Sequence, residues 1–110
     1  MTMMKHFVIQ EVEPRKPADG VEIRPISGER MTMAFFHLAP GSKMPEHSHP
    51  HEQIGTVLKG SVTLVIGGEE TLIEAGGAYI IPPNVTHGGR CGDTATELIE
   101  VFSPVREDLK

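Results

Sequence analysis

The sequence predicts an all-β fold, a sandwich or a jelly-roll barrel, and three observations carry that prediction. Twelve glycines and nine prolines are many for 110 residues, and they cut the chain into short pieces. Between these breaks lie short apolar or alternating runs suited to strands, and no stretch repeats with helical spacing. With four Phe, one Tyr and no Trp, the core must be largely aliphatic.

The elements follow in order. His6 to Val12, rich in Phe7, Val8 and Ile9, is expected to open the fold as a strand, and Glu13 to Gly20 to form a polar loop. Val21 to Ile26 is a second strand, closed by Ser27-Gly28-Glu29. Met31 to Leu38 has no polar face, which predicts a strand covered on both sides. Ile54 to Leu58 and Ser61 to Ile66 flank Lys59-Gly60, while Ile66 and Glu69 flank Gly67-Gly68. Both glycine pairs predict tight hairpins, because glycine accepts the positive φ such turns require. Leu72-Ile73, Ala78 to Ile81, Thr86 to Arg90 and Thr96 to Phe102 complete eight or nine strands. A polar tail, Ser103 to Asp108, is placed to fold back over a barrel mouth. One domain is expected: residues 1–30 as N-terminal strands and loop, 31–103 as barrel core and 104–110 as tail. Met31, Met33 and Met44 read as barrel filler.

The formal charge of −5 is spread along the chain, which argues against nucleic acid or an anionic membrane as partner. Cys91 stands alone, so no internal disulfide forms, and its Gly- and Asp-containing surroundings read as a turn. Met1 to His6 has no long apolar segment, so neither secretion nor membrane insertion is expected and a cytoplasmic location is.

Chemistry concentrates at His47-Ser48-His49-Pro50-His51-Glu52-Gln53, which holds three of the six histidines. Imidazole is the commonest ligand for borderline divalent metals. In an extended segment, His47 and His49 point to one side and Glu52 to the other. His51 and Gln53 share the parity of His49, and alternation alone leaves the two open. His87, beyond the Pro82-Pro83-Asn84 turn, could bring a further ligand from another strand. His6 and His37 lie outside this pattern and are read as non-ligands. Tyr79 could line the cavity and donate a hydrogen bond.

Gly41-x5-His47-x-His49-x3-Gln53-x6-Gly60 resembles the first motif of the cupins, and Gly76-x5-Pro82-x-Asn84-x2-His87 resembles the second. The resemblance implies a single-domain jelly-roll barrel, the double-stranded β-helix, around one divalent transition metal such as Ni, Zn, Fe or Mn. His47-to-Ile54, Ile81-to-Gly88 and Val101-to-Asp108 look like the small cupins that linearise unsaturated uronates from pectin and alginate. By position that family implies His47, His49, Gln53 and His87 as metal ligands, with Gln53 where most cupins carry Glu. Three imidazoles and a carboxamide leave a divalent cation's charge uncompensated, which favours an anionic ligand. The family further implies Glu100, Phe102 and Arg106 as catalytic residues, Glu100 standing where the family has Asp and Arg106 clamping a substrate carboxylate. Strand parity puts Leu98, Glu100 and Phe102 on one face, an acid beside an aromatic in an apolar interior. The competing reading pairs Arg106 with Glu107 or Asp108. A small sugar acid as substrate, and a homodimer formed through the N-terminal strand and an outer sheet face, are the partners expected. Other metal-dependent cupin chemistry, of oxygenase or polyketide cyclase type, and a non-enzymatic ligand-binding module are the alternatives.

Overall fold

The computed structural model describes residues 3–110, so Met1 and Thr2 of the N-terminal reading lie outside the described residues. Ten strands make two antiparallel sheets: β1 (Arg15–Ala18), β2 (Val21–Ser27), β3 (Thr32–Leu38), β4 (Lys43–His47), β5 (Glu52–Lys59), β6 (Ser61–Ile66), β7 (Glu69–Glu74), β8 (Ala78–Ile81), β9 (His87–Cys91) and β10 (Thr96–Ser103). The larger sheet runs β1-β2-β3-β10-β5-β8 and the smaller β4-β9-β6-β7. No α-helix is present among the described residues, and no helix there is long and apolar enough to cross a membrane.

The inner face of the larger sheet is filled in rows, because strand side chains alternate between faces and register aligns them across strands. Nearest the histidines, Thr32, Phe102, Gln53 and Ile81 share a row; the next holds Ala34, Glu100, Gly55 and Tyr79; a third holds Phe36, Leu98 and Val57. The third row, with Val62, Leu64 and Cys91 from the facing sheet, is the apolar bottom of the barrel. Ala18, Met44, Ile66 and Ile73 pack against the buried core as a whole.

Several expectations give way. His6 to Val12 is not a strand: Ile9–Glu11 makes one short 3-10 turn, and Phe7 and Val8 are exposed. Phe7, Val8 and Ile9 are consecutive, so they present no single face to a sheet. The loop expected over Glu13 to Gly20 contains β1, which pairs with β2 through a register shift between Arg15 and Ala18. An edge strand tolerates Pro17 because one side of its backbone needs no partner. Lys59-Gly60 is not a hairpin. Gly60 has the positive φ expected of it, +79°, but β5 pairs with β10 and β8 while β6 pairs with β9 and β7, so this turn carries the chain from one sheet to the other. Thr96 fastens it: its hydroxyl donates to the Ser61 carbonyl at 2.8 Å and accepts from the Ser61 N–H at 3.1 Å. Gly67-Gly68 is a true two-residue hairpin, φ +57° and +83°, with Ile66 opposite Glu69. The outer face of β3 is half-covered rather than buried, and Met31 is exposed at the β2–β3 turn instead of filling the barrel.

Candidate metal centre and cavity

His47 ends β4 and lies directly opposite His87, the first residue of β9, in the smaller sheet. Their rings are 4.4 Å apart, and His49, on the loop that follows β4, sits 4.9 Å from His87 and 5.4 Å from His47. One nitrogen from each of the three lies within 4.8 Å of the others. The second-motif turn holds this loop in place. Asn84, at φ 65°, adopts the left-handed conformation that Asn tolerates better than most residues, and its N–H donates to the His49 carbonyl at 2.8 Å.

The donor set fits a cation. His47 Nδ1 donates to the Pro45 carbonyl at 3.0 Å and His87 Nδ1 to the Val85 carbonyl at 2.9 Å, which leaves the Nε2 lone pair of each free to coordinate. Both ring nitrogens of His49 and Oε1 of Gln53 are buried without a hydrogen-bond partner. Such groups are costly to bury unless something satisfies them. Burial first, then the charge of Arg106 and the neighbouring imidazoles, brings the His49 pKa down to about 4; His87 is lowered mainly by burial. Both rings are therefore neutral at pH 7, as coordination requires. The His51 ring is 5.1 Å from His49 but lies outside the group of three: its Nε2 donates to the Val105 carbonyl at 3.2 Å and its Nδ1 is buried without a partner. Gln53, 2% exposed, lines the same cavity as the three histidines from β5. His6 and His37 are exposed and outside the group.

Glu100 projects from the centre of β10 into the same cavity, which holds about 350 Å³. It accepts a hydrogen bond from the Tyr79 hydroxyl at 2.7 Å, and the Gln53 carboxamide donates to it as well. Burial pushes its pKa up; Tyr79, Gln53 and Arg106 pull the other way. Gln53 thus has two faces, N–H towards Glu100 and an oxygen without a hydrogen-bond partner in the cavity that the imidazoles also line. A carboxylate could not serve as both.

Phe102, 2% exposed, stands between the tail and the site: His49 approaches its ring edge-on at 5.9 Å and the Arg106 guanidinium lies over it at 4.8 Å. The tail does fold back. Arg106 N–H donates to Thr32 Oγ1 at 2.9 Å, and Leu109 is buried against the cavity. Arg106 forks onto Asp108 through Nε at 2.9 Å and Nη2 at 2.7 Å, the pairing that competed with the clamp reading. Its Nη1 is outside that pair, and the guanidinium still lines the cavity.

All seven residues singled out from the sequence, His47, His49, Gln53, His87, Glu100, Phe102 and Arg106, line one cavity. Sequence reasoning left the Tyr79–Glu100 contact undrawn, because it depends on strand order. Apart from Tyr79 and Asp108, the rest of the wall is apolar, including Phe36, Leu64, Ile81 and Leu98.

A Cupin domain profile matches residues 34–102. Over 109 residues the chain is 32% identical to the pectin degradation protein KdgF of Dickeya dadantii (strain 3937), covering 97% of this chain and 99% of the relative. The solved structure of KdgF from Halomonas sp. superposes with a TM-score of 0.88 at 23% identity, covering 98% of this chain and 100% of that one, a likeness of fold. The polyketide cyclase RemF from Streptomyces resistomycificus superposes with a TM-score of 0.78 at 28% identity, over 93% of this chain and 80% of that one.

Proposed function

The chain belongs to the cupin family, and from that premise we propose that it is a metal-dependent enzyme that opens 4,5-unsaturated uronate monomers to linear keto-sugar acids. One observation carries the reading: a buried acid, Glu100, shares a cavity with three imidazoles and an unsatisfied carboxamide oxygen, with an arginine at the tail. The near-full-length relative named for pectin degradation supports a sugar-acid substrate.

The reaction is an isomerisation. The hemiacetal hydroxyl gives up its proton as the bond from the anomeric carbon to the ring oxygen breaks, leaving an aldehyde. The ring oxygen becomes an enol oxygen, and the far carbon of the double bond is protonated to give a ketone. No electrons and no atoms leave. A divalent cation such as Ni, Zn, Fe or Mn, held by His47, His49, Gln53 and His87, supplies a Lewis acid that favours negative charge on a substrate oxygen. Glu100 takes and returns the proton, its basicity raised by burial and its carboxylate held by two donors. Arg106 meets the uronate carboxylate with Nη1 while Asp108 holds the other edge of the guanidinium. Phe102 supports that guanidinium and walls the site from water.

The test is turnover. Metal-loaded protein should convert unsaturated galacturonate or mannuronate monomers, followed by loss of the absorbance of the conjugated double bond, and Glu100→Gln should abolish it. Absence of turnover in the metal-loaded protein refutes the reading. The apolar wall and the likeness to RemF favour, as the second reading, cyclase-type chemistry on a larger apolar substrate.

A homodimer in the cytoplasm belongs to the same proposal. Ile26, Met33, Val101, Ile54 and Ile80 stand in register in one row across the outside of five strands, and the last three are exposed. A second copy would cover this row. Light scattering should give a dimer mass that Ile54→Lys reduces to that of a monomer; a monomeric wild type ends this part of the reading.

A further inference from the structure

Glu100 reaches its tyrosine across an intervening strand. On β10, Glu100 is in register with Gly55 of β5, and Gly55 is in register with Tyr79 of β8, so a whole strand separates acid and phenol. The two meet because nothing stands between them. A Cβ built on Gly55 would lie 2.5 Å from both Cζ and Oη of Tyr79, well inside any real contact. The ring therefore lies flat over the one residue of β5 that has no side chain, and its hydroxyl arrives at Glu100 Oε2 at 2.7 Å. Glycine inside a strand is destabilising relative to alanine. Here it opens the path.

A glutamate side chain has one more torsion than an aspartate, and a catalytic acid gains nothing from freedom it must lose before reacting. Tyr79 removes that freedom. We propose that Tyr79 is a positioning residue for the ketonising reaction: passing over Gly55, its hydroxyl fixes the Glu100 carboxylate in one orientation beside the candidate metal ligands. The inference rests on the activity proposed above and deepens it by assigning two residues, Tyr79 and Gly55, to the setting of the acid.

The experiment compares metal-loaded wild type, Tyr79→Phe, Glu100→Gln and the double variant on unsaturated galacturonate. Tyr79→Phe should lower kcat about tenfold or more, with KM within about twofold and metal content unchanged. A residue acting only through Glu100 adds nothing once that acid is gone, so the double variant should be no slower than Glu100→Gln. Unchanged kcat in Tyr79→Phe, or losses that multiply in the double variant, overturns the proposal. A measurement without substrate separates this from the activity itself. Tyr79 is the sole tyrosine and there is no Trp, so near-ultraviolet absorbance reports on this phenol alone. Its band should lie to the red in the wild type and move back in Glu100→Gln. Gly55→Ala, which keeps the hydroxyl and displaces the ring, should reproduce that band shift and the kcat loss of Tyr79→Phe. An unmoved band in Glu100→Gln refutes the pair whatever the activity. A wild type with the red-shifted band but no turnover refutes the ketonising reading and leaves the pair standing.

Discussion

Replacing Gln53 by Glu, the residue most cupins carry at this place, isolates what the carboxamide does. Its N–H donates to Glu100 and its oxygen is buried without a hydrogen-bond partner. In Gln53→Glu the donor becomes a second carboxylate against a buried one. Two unit charges about 4 Å apart repel by roughly 4 kcal/mol at an effective dielectric near 20. At 1.36 kcal/mol per unit, that lifts the pKa of the pair's second ionisation by up to about 3 pH units. A group whose folded pKa is raised stabilises below its unfolded pKa, and the contribution is lost as pH rises through the folded value. Chelated Gln53→Glu should therefore nearly match the wild type at pH 5 and fall about 2–4 kcal/mol below it at pH 8, read from urea unfolding midpoints. Gln53→Ala, which loses the donor but adds no charge, should show a gap that changes far less with pH. Saturating divalent metal should narrow the deficit of Gln53→Glu, since the cation offsets the added charge. A wild-type-to-variant gap constant within about 0.5 kcal/mol between the two pH values would refute the claim that residue 53 faces an ionisable Glu100.

Three further outcomes follow from the same contacts. His49→Ala should lose most bound metal by elemental analysis while the fold persists, and Gln53→Ala should lose more than His51→Ala, because His51 is engaged with the Val105 carbonyl; the reverse order would put His51 in the ligand set. Thr96→Val should cost about 1–3 kcal/mol in unfolding free energy by stranding the Ser61 N–H and carbonyl, and a loss under about 0.5 kcal/mol would show that the crossing between sheets does not depend on that hydroxyl. Arg106 holds the Asp108 carboxyl below its usual range, so its stabilising contribution is present above the unfolded pKa and fades as pH falls through the folded one; with the side chain 61% exposed it amounts to at most about 1 kcal/mol, and the gap to Asp108→Asn should close in acid.

The strands of alternating or wholly apolar pattern were legible because period two is a local property: β3, β6, β8 and β10 lie within a residue or two of their expected limits. The candidate site could be singled out because all its residues but Phe102 are polar groups, several in unusual spacing, and all of them line one cavity. What failed depends on partners far away in sequence. Arg15–Ala18 has no apolar alternation and becomes a strand only because β2 offers its edge. Gly60 announces a turn, but whether the turn closes a hairpin or changes sheet is decided by Thr96, thirty-six positions on. The Tyr79–Glu100 contact requires knowing that β5 lies between β8 and β10.

His47 and His87 come from the smaller sheet, and Gln53 comes from the larger. An ion gripped by all of them would act as a clasp across the seam of the barrel. Filling the centre and tightening the two halves would then be one event, visible as slowed amide exchange in β4, β5 and β9 together, and loss of the ion would loosen the scaffold as surely as it silenced the chemistry.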